Sequence, residues 1–197
     1  MARERRGCVQ VYTGNGKGKT TAAIGLTVRA LGAGHKVAFI QFMKSLGYSE
    51  HRLFENLSPN LTHFTVGKPF FVAKKGSVSE EDLAKIALDC VVFPPGAPPE
   101  EYMDLVAGGL GRAAEILAGG QCDLVVLDEL NCALHFELID WNAVERALDG
   151  RHFKTEVVLT GRGAPEALLA KADLVTEMVE IKHYYNQGLM ARRGIEN

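Results

Sequence analysis

The stretch VYTGNGKGKTT, residues 11–21, sets a short β-branched and aromatic run (8–13) against a glycine-rich loop, followed at once by TTAAIGLTVRAL. Ala23, Leu26, Ala30 and Leu31 recur at helical spacing, so the order is strand, loop, helix. Such a loop aims backbone N–H groups and the positive end of a helix at one point, which suits a polyphosphate. Gly18, Lys19 and Thr20 supply the usual ending: a point charge on lysine and a hydroxyl able to ligate magnesium. The common pattern G-x-x-x-x-G-K-S/T needs glycine at position 13, which here is Thr13, and the first glycine arrives at Gly14. The loop is therefore one residue short, and it carries an extra cation, Lys17. Gly14, Asn15, Gly16, Lys17, Gly18, Lys19, Thr20 and Thr21 are its expected nucleotide-binding residues.

Further along, KVAFIQF (36–42) and THFTV (62–66) read as strands, and SEEDLAKIAL (79–88) opens with a helix-start pattern, Ser79 followed by Asp82. FPPGAPP (93–99) reads as a surface loop, because its four prolines remove backbone donors. Residues 100–118 present Val106, Leu110, Ala114 and Leu117 on one helical face, although Gly108, Gly109 and Gly111 weaken that helix. DLVVLDE (123–129) is a buried strand ending in acids. A helix follows from Asp140 with Trp141, Val144 and Leu148 inward, then a strand over 155–160, a short helix over 165–172 and a last strand over 174–181. Alternating strands and helices imply an α/β protein of three layers, with a mainly parallel sheet, helices on both faces and ligands at the carboxyl ends of strands. No linker or repeat divides it, so residues 1–197 are expected to form one domain, preceded by a short basic arm over about residues 1–7.

Four apolar residues lead into Asp128 and Glu129, the pattern that sets an acid beside nucleotide-bound magnesium; Thr20, Asp128 and Glu129 are the expected metal residues. Arg162, in TGRGAP after the next strand, reaches the same sheet edge, either as a phosphate clamp or as a surface turn residue. A net charge of −2 gives no general attraction to nucleic acid or to anionic lipid. With no signal peptide and no span of about 18 apolar residues, a cytoplasmic protein is expected. Four cysteines without CxxC spacing indicate neither a disulfide framework nor a zinc finger.

The segments TGNGKGKTTAAIGLTVRALG, KVAFIQFMK, DLVVLDELNCAL, VVLTGRGAP, ADLVTEMVEIKH and GLMARRGIEN together resemble the phosphate-loop ATP:corrinoid adenosyltransferases, and they cover both ends and the sheet core. The resemblance implies a RecA-like fold and ATP bound in the reverse sense along a shortened loop. Attack would fall on C5′ of the ribose, and the whole triphosphate would leave. It further implies Lys19 and Thr20 as catalytic residues, a nucleotide contact from Arg29, magnesium, a corrinoid substrate reduced by a donor such as a reduced flavoprotein, and a homodimer whose basic arm (Arg3 to Arg6) covers a corrinoid site.

The corrinoid half departs from the family pattern. A glycine-x-glycine-phenylalanine-threonine-tryptophan segment is matched only by GKPFFV (67–72), with Pro69 for glycine and Val72 for tryptophan. Phe70 and Phe71 are the candidate corrinoid residues, with ordinary core packing as the alternative. Two other activities remain open on sequence: a phosphate-loop kinase or ATPase, and a nucleotide-gated corrinoid binder without turnover.

Overall fold

The computed structural model describes residues 6–45, 47–76 and 90–196, with backbone only at 71–73. The first unit is as the sequence predicts: β1 (Val9–Thr13), the loop, and α1 (Lys19–Gly32). There follow β2 (Val37–Phe42), α2 (Ser49–Leu57), β3 (Leu61–Val66), β4 (Phe71–Lys74), β5 (Cys90–Phe93) and α3 (Glu100–Gly119). The remainder is β6 (Leu124–Asp128), α4 (Leu130–His135), α5 (Trp141–Asp149), β7 (Glu156–Thr160), α6 (Glu166–Lys171), β8 (Leu174–Glu177) and a 3-10 turn (Tyr184–Gln187).

Six strands form one parallel sheet in the order β3-β2-β6-β7-β1-β8. Strand alternation sorts the core into two layers. Val37, Phe39, Leu124, Val126 and Val158 face Ala23 and Ala30 of α1 and Phe54 of α2. Ala38, Ile40, Phe42, Val125, Leu127, Val157 and Leu159 face α3 to α6 through Val106, Leu117, Leu130, Val144, Leu148 and Leu168. Burial on both faces explains why β2, β6 and β7 are nearly continuous apolar runs. Asp140 caps α5, its carboxylate accepting from the Asn142 N–H at 3.2 Å. Of the glycines that weaken α3, Gly109 has a packing reason: a Cβ there would sit 2.5 Å from Val66.

Several features differ from expectation, among them α4 and the 3-10 turn, which fall where no element was expected. The last strand stops at Glu177 rather than continuing to 181, because its partner β1 ends at Thr13, and the Met178 N–H makes the final bond to the Thr13 carbonyl. Helix α2, which buries only His51 and Phe54, has no counterpart in the sequence expectations. β4 and β5 form a separate two-stranded parallel sheet, and β5 ends at buried Phe93 where the proline-rich loop begins. The helix expected over 79–88 and residues 1–5 of the basic arm lie outside the described residues.

Candidate functional site: a nucleotide cleft at the carboxyl ends of β1, β6 and β7

The short loop is held by β8. Gly16 N–H donates to the Met178 carbonyl at 2.7 Å, and a Cβ at Gly14 or Gly16 would fall 2.5 or 2.7 Å from that oxygen, so the close approach needs glycine at both. Gly14 (φ 92°) and Gly18 (φ 117°) also hold left-handed backbone. Lys19 is buried, and its ammonium donates to the carbonyls of Gly14 (2.7 Å) and Gly16 (2.8 Å), so it is fixed over the loop. Burial, reinforced by the charge of Arg162, lowers its pKa.

Thr20 donates its hydroxyl proton to Asp128 Oδ1 at 2.9 Å, and its oxygen is left with lone pairs for a cation. Asp128 has no exposed surface. Its Oδ1 also accepts from Thr160 (2.6 Å), and its Oδ2 accepts from Gln41 (3.1 Å) and Lys44 (2.9 Å). Burial pulls the Lys44 pKa down, but the charge and hydrogen bond of Asp128, with Glu129 and Glu50, outweigh it and raise the value.

Glu129 differs from its neighbour. It adopts left-handed backbone (φ 61°), its N–H donates to Thr160 Oγ1 at 3.0 Å, and its carboxylate accepts from the Cys132 thiol at 2.8 Å. Burial first and the charge of Asp128 second raise its pKa. Burial and Glu129 likewise push the Cys132 thiol well up, so it stays protonated and serves as a donor. The two acids expected as metal residues therefore divide: Glu129 lines the open cleft, while Asp128 lies behind it with its oxygens taken by Thr20, Thr160, Gln41 and Lys44.

The cleft is a cavity of about 490 Å³ bordered by the loop from Gly16 to Thr21 and by Glu129 and Arg162. Met43, Tyr48, Phe136 and Ile195 add apolar surface. Lys44, Tyr48, Glu50 and Glu129 also border a second space of about 440 Å³ beside α2. Asn131 is buried beneath, its amide donating to the Gly161 carbonyl at 3.2 Å, which steadies the turn that delivers Arg162.

The C-terminal segment returns across the mouth. Lys17 Nζ donates to Tyr184 OH (3.0 Å) and Glu196 Oε1 (2.9 Å), and Tyr184 OH also bonds to Glu196. Arg192 donates to Glu196 through its backbone N–H (2.8 Å) and its guanidinium (3.1 Å), and its guanidinium lies 5.0 Å from the centre of the Tyr184 ring. Hydrogen bonds from Arg192, then Tyr184 and Lys17, depress the Glu196 pKa strongly.

Of the expected residues, the structure brings together Gly16 to Thr21, Glu129 and Arg162 around the cleft, with Gly14 and Asp128 directly behind. Asn15 is exposed on the loop. Arg29, expected as a nucleotide contact, is exposed in the last turn of α1 and borders neither cavity, with ten residues of helix setting it about 15 Å from Lys19. Phe70 is also outside both cavities, packed edge-on to Tyr102 of α3 with centroids 5.9 Å apart, which is the core alternative; the side chain of Phe71 lies outside the described residues. Gln41, Lys44, Tyr48, Glu50 and Glu196 were not assigned roles from sequence. Only a buried amide in an apolar strand, Gln41, carried a usable cue.

A shortened phosphate loop after β1, with an acid at the end of a strand two places away in a parallel sheet, defines an α/β protein of the phosphate-loop class. Residues 5–197 match the family model described as ATP:corrinoid adenosyltransferase BtuR/CobO/CobP, and the chain belongs to that family. It is 34% identical over 197 residues to a corrinoid adenosyltransferase of Pseudomonas aeruginosa, covering 100% of this chain and 86% of that one. To a corrinoid adenosyltransferase of Escherichia coli K12 it is 33% identical over 196 residues, with 100% and 88% covered. Among solved structures it is similar to the flagellar accessory protein FlaH from Methanocaldococcus jannaschii, with a TM-score of 0.48 at 14% identity, over 88% of this chain and 71% of that one.

Proposed function

We propose that the chain transfers the 5′-deoxyadenosyl group of ATP to the cobalt(I) of a corrinoid and releases intact triphosphate. The observation that carries this reading is the short, doubly cationic loop tied to Thr20 and Asp128 in a member of this family. In the step, the cobalt electron pair forms the Co–C5′ bond, the C5′–O bond breaks, and the triphosphate leaves with the bonding pair, so that cobalt ends as cobalt(III). No proton moves, and the site needs no general base. Its work is to hold the reactants and to neutralise the leaving group, and the presence of Lys17, Lys19 and Arg162 on the border of the cleft supports that reading. Met43, Tyr48 and Phe136 give the cleft an apolar wall that phosphate alone does not require and that suits a corrinoid face.

Magnesium, when bound, adds charge neutralisation at the triphosphate. The donors fit a hard cation: the Thr20 hydroxyl oxygen and the Glu129 carboxylate would hold it, with Asp128 orienting Thr20. Such a cation would take most of its remaining ligands from phosphate and water.

The rest of the reading is one nucleotide-binding domain acting as a cytoplasmic homodimer, with the basic arm toward a corrinoid site and a reduced flavoprotein as electron donor. Among the described residues no helix is long and apolar enough to cross a membrane. The test is an anaerobic assay with chemically reduced cob(I)alamin and magnesium ATP. Light-sensitive adenosylcobalamin with equimolar tripolyphosphate is expected; ADP without a cobalt–carbon bond would overturn the reading.

A further inference from the structure

Every residue of β2 is buried, yet its fifth is an amide, Gln41, with no exposed surface. An amide in such a place is costly unless its hydrogen-bonding positions are filled, and all four are. Nε2 donates to Asp128 Oδ2 (3.1 Å) and to Glu50 Oε1 (3.3 Å), while Oε1 faces Nε2 of His51 (2.7 Å) and of His63 (3.0 Å). The reversed amide would point its oxygen at two carboxylates, so chemistry fixes the orientation. His51 is fixed independently: Gly47 N–H donates to its Nδ1 at 3.3 Å, which places the ring proton on Nε2, facing Gln41.

Asp128 Oδ2 has a second donor, Lys44, but that cation has competing neighbours: Glu50 at 3.9 Å and the Tyr48 ring at 5.1 Å. A lysine supplies charge from a flexible stem, whereas the fully bonded amide supplies direction. Thr160 holds Oδ1 of Asp128 at 2.6 Å and Gln41 directs Oδ2, so the two together set the plane of the carboxylate that Thr20 meets.

We propose that Gln41 is a positioning residue for metal–nucleotide binding: locked by His51 and His63, it holds Asp128 in the orientation that presents the Thr20 oxygen to the cation. This rests on the magnesium–ATP reading above. It makes α2, which supplies Glu50 and His51, part of the nucleotide site although α2 follows a different strand.

The test is calorimetric titration of ATP into the whole chain without corrinoid, with magnesium and with a chelator, so that the ratio of affinities gives the metal-linked gain. Gln41→Met keeps the length and removes the four bonds. His63→Phe removes one clamp and keeps a ring beside Phe39 and Phe54, whose centroids lie 6.5 and 5.1 Å from that of His63. Gln41→Met is expected to cut the metal-linked gain about tenfold, and His63→Phe about threefold, each leaving affinity in chelator within about twofold. An unchanged gain in the folded variants overturns the proposal, as does an equal loss with and without magnesium, which would mark a merely structural role. If Gln41→Met does not fold, His63→Phe carries the same decision. A wild-type chain whose ATP affinity does not respond to magnesium overturns both this proposal and the metal part of the functional reading, whereas a normal wild-type response with unaltered variants overturns this proposal alone.

Discussion

Lys17 Nζ lies 2.9 Å from Glu196 Oε1, so the extra cation of the short loop is met by a carboxylate from 179 residues away. That carboxylate borders the cleft, where a triphosphate would present the same kind of charge. Glu196→Gln should therefore tighten tripolyphosphate binding about twofold to fivefold at low salt, with the gain shrinking as salt rises. Lys17→Ala should weaken it about tenfold. Weaker binding by Glu196→Gln would mean that the carboxylate braces the loop rather than competing for it.

Asp128 and Lys44 form a pair whose members are 0% and 12% exposed at the side chain. Asp128→Ala leaves a buried ammonium facing Glu50 at 3.9 Å and should cost about 3–5 kcal/mol in urea unfolding. Adding Lys44→Met should recover much of that loss, and simple additivity in the double-mutant cycle would contradict the coupling.

Glycines in one segment should respond in opposite directions. Gly14→Ala forces a side chain onto the Met178 carbonyl at 2.5 Å with φ at 92°, so ATP binding should fall at least tenfold, with lower thermal stability. Gly25, in α1, has nothing within 4 Å of its would-be Cβ, and Gly25→Ala should stabilise by about 0.5–1 kcal/mol. Thermal melts of both variants check the contrast.

Burial first, and the neighbouring His51 second, lower the His63 pKa from 6.5 to about 4. The fold thus favours the neutral ring, while the unfolded chain takes up the proton near 6.5. Stability from this preference is full above pH 6.5 and falls as pH drops toward 4, by at most about 1.4 kcal/mol per pH unit. His51, lowered by burial, acts in the same direction. Urea midpoints between pH 7 and 4.5 should fall less steeply for His63→Phe than for the parent chain; parallel slopes would remove His63 from the account.

The parts legible in the sequence were those written in local spacing. The loop, α1 and the acids after an apolar strand are contiguous patterns, and five of the six strands of the main sheet run close to the expected bounds. The sixth, β8, stops early because hydrophobicity continues through Val179 and Ile181, whereas pairing ends with β1. The Arg29 expectation came from the family resemblance, and the rise along α1 sets that residue in the last turn of the helix, away from the loop. Glu50 and Glu196 were not legible, and Gln41 only as an amide out of place in an apolar strand, because what gathers them is parallel crossover and chain return. Asp128 follows Gln41 by 87 residues, and Glu196 follows Lys17 by 179.

β1 is flanked in the sheet by β7 and β8, the last two strands of the chain, and the loop that follows it is latched by the Met178 carbonyl. The shape of the loop thus depends on a strand far along the chain, so any local opening that frees β8 from β1 would also release the loop, and hydrogen exchange at Gly16 would report on both.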